Sequence, residues 1–409
     1  MVIMDSTHGQ TVQAWRRLFD KGRPQLGKKS TNKDKKQNKN KKNNSRNKIK
    51  NKIPNPLTSP NTNTQRNLHG VSSQSSWEQF GNKLTTIKHT STIRIGFQNI
   101  NVLPKNKNSI KSRNLLEFMY QSEFDLWLMS EVGLNWHKVH PIDSWFERVR
   151  EKFGDQSSRS CMAFNANEQD IAEPLQYGGT GIFANTEVAH RVVSSGRDTE
   201  KLGRWSWMLL QGKRGVKIRV VSAYRPSNSN NGPNSVMVQH YRHFKSNNRV
   251  DESGSAINPR SAFYEDLGKQ IKLWLDAGDQ IVVGIDANED VREGQTKIFF
   301  ESMDMYESII SSHPESNPPS TNSKSFTSRP IDGIFVSRSL QAESSGYLAF
   351  GDGCPSDHRV LWIELTYEQA FGYISPPLMS APPRRLTCAV PSRVESYNNQ
   401  VNSALKKPA

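Results

Sequence analysis

Residues able to do chemistry recur at the ends of apolar runs. Asn99 and Asn101 close the alternating run Ile93-Arg94-Ile95-Gly96-Phe97-Gln98, and Ser130-Glu131 close the run from Phe124 to Met129. Tyr224-Arg225 follow Val216 to Ala223, Asp286-Ala287-Asn288 follow Gln280 to Ile285, and Asp332 stands near the start of Ile331 to Val336. Ser356-Asp357-His358 follows the small-residue loop Gly351-Asp352-Gly353-Cys354-Pro355 and leads into Val360 to Leu365. Any one of these, taken singly, is the ordinary polar end of a strand. Six in the same relation to six buried strands point to one convergent site. Carboxylates and amides are hard oxygen ligands of the kind magnesium takes, and one or two carboxylates with an amide suffice because that ion keeps several waters. Asn, Tyr and a protonated His are donors that meet developing negative charge. A carboxylate beside a His keeps the ring charged near neutrality. Asp332 serves that role more readily than Asp357, because residues adjacent in a strand point to opposite faces. The same geometry excludes Ser356-Asp357-His358 as a serine-hydrolase triad.

Holding these side chains takes buried strands with helices between them. The spacing of Leu115, Leu116, Phe118 and Met119 predicts a helix from about Ser109 to Gln121. Asn258-Pro259 has the chemistry of a helix start, a capping side chain followed by proline, and Phe263, Leu267, Ile271, Trp274 and Leu275 mark one face down to Gly278. Trp205 to Leu210 and Val216 to Ala223 read as a hairpin around Gln211 to Gly215. Tyr177-Gly178-Gly179-Thr180-Gly181 lacks the Lys-Ser/Thr of a phosphate-cradling loop and reads as a turn that lets backbone approach closely. Residues 226–258 are too long for a plain connection, which makes them a functional or a mobile loop, and 311–330 read as a second Ser/Pro/Asn-rich loop.

The remaining composition frames this core. Of 409 residues 34% are hydrophobic, which fits one domain of about 270 to 280 residues with unfolded flanks. Residues 1–53 hold 16 Lys and Arg against Asp5, Asp20 and Asp34, and residues 368–409 hold five against two, so the net charge of +16 sits in the arms and the middle is neutral. Any electrostatic affinity for a polyanion therefore lies mainly in the arms. Lys28 to Lys52 is too polar to fold and reads as a nuclear-localisation or nucleic-acid-clinging tail, or as a merely solubilising one. Val12, Trp15, Leu18 and Phe19 suggest a short amphipathic helix over 8–20. Cys161, Cys354 and Cys388 lack the spacing of a disulfide framework or zinc site, and a reducing compartment follows as the default. No run of eighteen apolar residues spans a membrane, so the expectation is a soluble protein of the nucleus or cytoplasm without a membrane partner.

Gln98-Asn99-Ile100-Asn101, Ser130-Glu131, Ala223-Tyr224, Gly284-Ile285-Asp286-Ala287-Asn288, Pro330-Ile331-Asp332 and Ser356-Asp357-His358 together resemble the ordered motifs of the endonuclease/exonuclease/phosphatase superfamily. Within it the chain is most similar to the endonuclease domain of LINE-type, non-LTR retrotransposons, through Leu202-Gly203-Arg204-Trp205-Ser206-Trp207 and Val221-Ser222-Ala223-Tyr224-Arg225-Pro226. The resemblance implies an α/β fold, a four-layered sandwich of two mixed sheets flanked by helices, over residues 92–367. A basic disordered arm and linker over 1–91 precede it, and a Pro/Arg-containing tail over 368–409 follows. It also implies phosphodiester hydrolysis with Mg2+, or Mn2+ in its place, on DNA. Carried over by position, Glu131 is the principal metal ligand with Asn101 and Asp357 near the ion, and Asp286 orients or deprotonates the attacking water. Asn99, Asn288 and Tyr224 hold phosphate oxygens, and His358, backed by Asp332, stabilises charge at the phosphorus. Many relatives carry Asp where Asn101 stands, so this metal site has one negative charge fewer. The tail resembles the connector that leads to a reverse transcriptase, which makes a downstream polymerase an expected partner in a longer polyprotein. The alternatives are an abasic-site repair nuclease, a phosphatase of small phosphate esters, or a non-catalytic remnant that binds nucleic acid through its arm.

Overall fold

The computed structural model describes residues 79–154, 158–167, 174–228, 232–324, 329–373 and 391–405. The expected helix over 8–20 and the Lys-rich arm lie outside them. In chain order the strands are β1 (Phe80–Gly81), β2 (Thr92–Asn99), β3 (Leu126–Ser130), β4 (Ser158–Ala163), β5 (Thr180–Asn185), β6 (Val192–Arg197) and β7 (Trp205–Gln211). There follow β8 (Lys217–Tyr224), β9 (Gln280–Asp286), β10 (Met305–Glu307), β11 (Asp332–Ser337), β12 (Ser344–Tyr347) and β13 (Leu361–Thr366). They form a seven-stranded sheet, β1-β12-β13-β2-β3-β5-β4, and a six-stranded sheet, β10-β11-β9-β8-β7-β6. Both are mixed, because β2 with β3 and β8 with β9 run parallel among antiparallel neighbours.

Strand alternation divides the apolar residues into three layers. Ile93, Ile95 and Phe97 of β2, Leu126 and Leu128 of β3, Ile218 and Val220 of β8, Val282 of β9 and Ile334 and Val336 of β11 share one buried cluster, so the two sheets face each other. The opposite face of the first sheet, with Trp127, Met129 and Trp362, packs on the helices Ile110–Gln121 and Trp145–Phe153. That of the second, with Val221, Ala223, Val283 and Ile285, packs on the helix Pro259–Asp276 through Phe263, Leu267, Ile271 and Trp274. Helix, sheet, sheet and helix thus stack as the expected four layers. Gly284 lets the sheets meet closely, since a Cβ there would lie 2.7 Å from Phe97 and 2.9 Å from Leu128.

Both expected helices form with the caps their sequences signal. The Ser109 side chain accepts from Ser112 N at 3.2 Å, and that of Asn258 accepts from Arg260 N at 2.8 Å ahead of Pro259. Three elements extend the sequence pattern. Phe80 of β1 is buried and pairs with Tyr347, upstream of residue 92. Residues 391–405 of the tail are helical. Within 226–258 the helix Val236–Ser246, capped by Ser235, buries Gln239, His240 and Phe244, so the described part of this insertion is a packed element rather than a mobile loop. Burial lowers the His240 pKa to about 3, the behaviour of a neutral core histidine. No helix among the described residues is long and apolar enough to cross a membrane.

Candidate active site

The apolar layer between the sheets ends in polar groups. In β2 the inward series Ile93, Ile95, Phe97 continues to Asn99, in β8 Ile218, Val220, Ser222 to Tyr224, and in β9 Val282, Gly284 to Asp286. β11 runs antiparallel to β9 and contributes its first residue, Asp332, directly opposite Asp286. β13 likewise brings the preceding His358 to this edge. Period-two alternation therefore delivers Asn99, Tyr224, Asp286 and Asp332 to one place, all buried.

Asn99 joins the two sheets. Its Nδ2 donates to Glu131 Oε2 at 3.1 Å and to Asp286 Oδ2 at 2.7 Å, while its Oδ1 accepts from Asn101 N at 2.9 Å. Tyr224 donates its hydroxyl to Glu131 Oε1 at 2.5 Å, and burial followed by the Glu131 charge raises its pKa well above the ordinary value. Asn288 N donates to Asp286 Oδ1 at 2.9 Å, and its Nδ2 donates to Arg225 O at 2.8 Å. Burial, reinforced by the Asp332 carboxylate, pushes Asp286 up to about 8.

His358 Nδ1 lies 2.8 Å from Asp332 Oδ2. Burial alone disfavours the charged ring, but the carboxylates around it, Asp332 foremost, push its pKa up to about 10. Ser356, excluded as a nucleophile, acts as a staple: its hydroxyl donates to Asn99 O at 2.6 Å and accepts from His358 N at 3.1 Å. Asn101 Nδ2 donates to Asp357 Oδ1 at 2.9 Å, and Lys324 Nζ pairs with Asp357 Oδ2 at 2.7 Å. Burial pushes the Asp357 pKa up, but the Lys324 hydrogen bond and nearby positive charge outweigh it and bring it down.

The nine residues singled out in the sequence thus meet at one edge, six of them in two groups of three, with Asn99, Tyr224 and Asn288 bonded to carboxylates of both. Asp286, Asp332 and His358 bring ligand-type atoms within 4.8 Å of one another. A His whose Nδ1 is engaged by a carboxylate and whose ring is charged offers no lone pair to an ion, so this group suits proton handling better than metal binding. Glu131, Asn101 and Asp357 are only half-buried and carry hard oxygens, and the Asn101 Oδ1 accepts no hydrogen bond among the described residues. Asp357 already attracts the Lys324 ammonium, as carboxylates poised for a cation do. That donor set fits magnesium or manganese.

Residues outside the sequence-level set also reach the site. Lys111 Nζ donates to Asn101 O at 2.7 Å from the first turn of its helix, and Asn322 Nδ2 lies 2.7 Å from His358 Nε2. Neither stands at the end of an apolar run, and neither carries a pattern that marks it in the sequence. The Leu202 to Trp207 block supports the site from behind: Arg204 is fully buried between Asp198 and Asp266, at 2.6 Å from each, and its carbonyl accepts from Tyr224 N at 2.8 Å.

The sequence matches no protein-family model and no curated protein. Among solved structures, it is similar to the human Nocturnin catalytic domain with bound sulfate anion, at 16% identity over 68% of this chain and 96% of that one, with a TM-score of 0.46. It is also similar to an endonuclease/exonuclease/phosphatase family protein from Bacteroides thetaiotaomicron, at 14% identity over 67% of this chain and 94% of that one, with a TM-score of 0.41. At that degree of likeness neither neighbour assigns a substrate or a catalytic residue to this chain.

Proposed function

We propose that the chain is a divalent-metal-dependent phosphodiesterase that nicks DNA, an endonuclease of the kind encoded by non-LTR retrotransposons. The observation that carries the reading is the Asn99 amide, which ties Glu131 to Asp286 beside the Asp332–His358 pair. A carboxylate for the metal, a buried base and a charged donor then stand together at one sheet edge. The basic arms supply non-specific attraction to the DNA backbone, and the retroelement motifs in the sequence favour DNA over a small ester.

Glu131, Asn101 and Asp357 would hold the ion. When bound, a magnesium ion neutralises phosphate charge and stabilises the leaving oxygen. The protein's own groups do the rest. Asp286, held by Asn99 and the Asn288 amide, takes the proton of an attacking water in its ionised form, which its pKa of about 8 makes the major one only above that pH. His358 presents a charged Nε2–H to a phosphate oxygen while Asp332 fixes the ring from behind. Asn288, whose Nδ2 keeps one hydrogen beside its bond to Arg225 O, would hold a further phosphate oxygen, and Asn99 and Tyr224, whose donors already engage Glu131 and Asp286, would reach phosphate only by releasing those carboxylates to the ion.

The test is relaxation of supercoiled plasmid by the full chain with Mg2+ and with EDTA, beside abasic duplex and a small phosphate ester. Mg2+-dependent nicking of intact plasmid, lost in Glu131→Ala and His358→Ala, is the expected result. A strong preference for abasic DNA or for the ester would replace the retroelement reading with another phosphoesterase. Nicking that survives both substitutions would show that the site is elsewhere.

A further inference from the structure

We propose that Gln239, on the helix of the 226–258 insertion, is a positioning residue for the metal site: it clamps the glycine turn that holds the backbone around Glu131. The proposal rests on the assignment of Glu131 to the ion in the phosphodiesterase reading, and adds to it the element that keeps this ligand in place.

A glutamine is a costly choice for the buried face of a surface helix unless its amide is fully bonded. Gln239 is 1% exposed, and each of its polar atoms is engaged. Nε2 donates to Asn234 O at 2.7 Å and, more loosely, to Tyr177 O at 3.4 Å, while Oε1 accepts from Asn165 Nδ2 at 3.1 Å. Backbone carbonyls only accept, and Asn165 Oδ1 is taken by Asn167 N at 3.0 Å, so both amides have a set orientation. The Asn165 carbonyl in turn accepts from Gln176 Nε2 at 2.9 Å. Gln239 therefore reaches both residues ahead of Gly178 and Gly179, Tyr177 directly and Gln176 through Asn165. Val236, one turn earlier on the same face, closes on Gly178, where a Cβ would lie 3.0 Å from its Cγ2.

The other side of the turn meets the segment that carries Glu131. Gly178 O accepts from Gly133 N at 2.8 Å and Gly179 O from Val132 N at 3.2 Å, while Gly133 O accepts from Gln176 N at 3.0 Å. Glu131 itself is left-handed, with φ of 47°, a conformation that a glutamate keeps only where its neighbours hold it. A continuous series of hydrogen bonds thus runs from the insertion helix to the backbone of the ligand. A glutamine serving only its own helix would need no more than Asn234 O. The remaining two bonds leave the helix, and both lead to the turn. Without them Glu131 is free to relax, which carries its carboxylate off Asn99 and Tyr224 and away from the ion.

The experiment measures Mn2+ binding to the full chain by electron paramagnetic resonance of the free ion, with Glu131→Ala to identify the site, beside Mg2+-dependent plasmid nicking. Gln239→Met keeps the side-chain volume and removes all three bonds. It is expected to raise the Mn2+ Kd about tenfold, the usual effect of losing a group that stands behind a metal ligand. The Mg2+ concentration for half-maximal nicking should rise by the same factor, while kcat at saturating Mg2+ stays within about twofold. Phe244→Leu removes packing from the far end of the same helix and should lower the melting temperature while leaving Mn2+ affinity at the wild-type value. Val236→Ala is a milder change that leaves Gln239 in place, and should weaken Mn2+ binding by a smaller factor. Wild-type Mn2+ affinity in Gln239→Met, or an equal loss in Phe244→Leu, overturns the role of Gln239; where Gln239→Met does not fold, wild-type affinity in Val236→Ala does the same. Absence of any Glu131-dependent Mn2+ binding in the wild-type chain overturns the metal assignment, and this proposal with it.

Discussion

Asp332→Asn separates the charge behind His358 from its geometry. The substitution is isosteric, the Asp332 N–H keeps its bond to Thr321 Oγ1, and the Asp332 Oδ1, buried and without a hydrogen-bond partner among the described residues, loses nothing. What goes is the carboxylate 2.8 Å from His358 Nδ1, the largest influence raising a ring pKa pushed up to about 10. Without it burial, which lowers the pKa, is opposed only by the more distant Asp286 and Asp357, and the ring returns to roughly 6.5 or below. Wild-type rings stay charged across neutrality; in the variant only about one in thirty is charged at pH 8, a loss of roughly thirtyfold from protonation alone. Initial nicking rates at saturating Mg2+ between pH 5.5 and 9 read this, most cleanly above about pH 8, because losing Asp332 also relieves part of the rise in the Asp286 pKa. The gap should narrow as the pH falls toward 6 and widen about tenfold per unit above 7. The raised folded-state pKa also stabilises the protein, fully below about pH 6.5 and progressively less as the pH rises through about 10, so the variant should melt lower at pH 7. A constant ratio of rates at every pH would refute the reasoning, because it would mean that Asp332 orients the ring without holding its charge.

Two further outcomes test the rest of the architecture. Asn101→Asp restores one negative charge next to Asp357 and should lower the Mg2+ concentration for half-maximal nicking by about tenfold; an unchanged or higher requirement would place the ion elsewhere. Gly284→Ala drives a methyl to 2.7 Å from Phe97 between the sheets and should destabilise the domain by about 1 to 3 kcal/mol in urea unfolding, with no loss if the sheets do not meet there.

The inner machinery was legible because its strands are buried. Phe97, Leu128, Val282 and Ile334 mark runs that only a covered sheet accommodates, and the polar residue that ends each run stands out against them. The edges were not. β1 has two residues, and β6 exposes Val193, Ser194 and Ser195, so neither carries the alternation that reveals a strand. Asn322 and Lys111 reach the site from a Ser/Pro-rich loop and from a helix start, where Asn and Lys are the ordinary surface choice. The helix Val236–Ser246 hides in an insertion of Asn, Ser and Gly, because its buried face includes Gln239 and His240, polar residues that pattern reading assigns to solvent.

The backbone around three of the site residues shows why the glycine turn stands where it does. Asn101, Glu131 and Asn288 follow β2, β3 and β9, and each takes the left-handed conformation, with φ of 42°, 47° and 50°. Asn tolerates that region because its short amide bonds locally, as Asn101 N does with Asn99 Oδ1 and Asn288 N with Asp286 Oδ1. Glu has no such relief, and the conformation costs it on the order of 1 to 2 kcal/mol. The strain is held from outside. Val102 N donates to Glu131 O at 2.8 Å, while Val132 N and Gly133 N donate to the carbonyls of Gly179 and Gly178 at 3.2 and 2.8 Å. Those glycines are themselves left-handed, with φ of 85° and 90°, and a Cβ on Gly179 would lie 2.8 Å from Ala163 O. Tyr177 to Gly181 is therefore a turn of close backbone approach. It brings two carbonyls close enough to fix a carboxylate that would otherwise relax away from Asn99 and Tyr224, and so sets the position of Glu131 from the far side of its own strand.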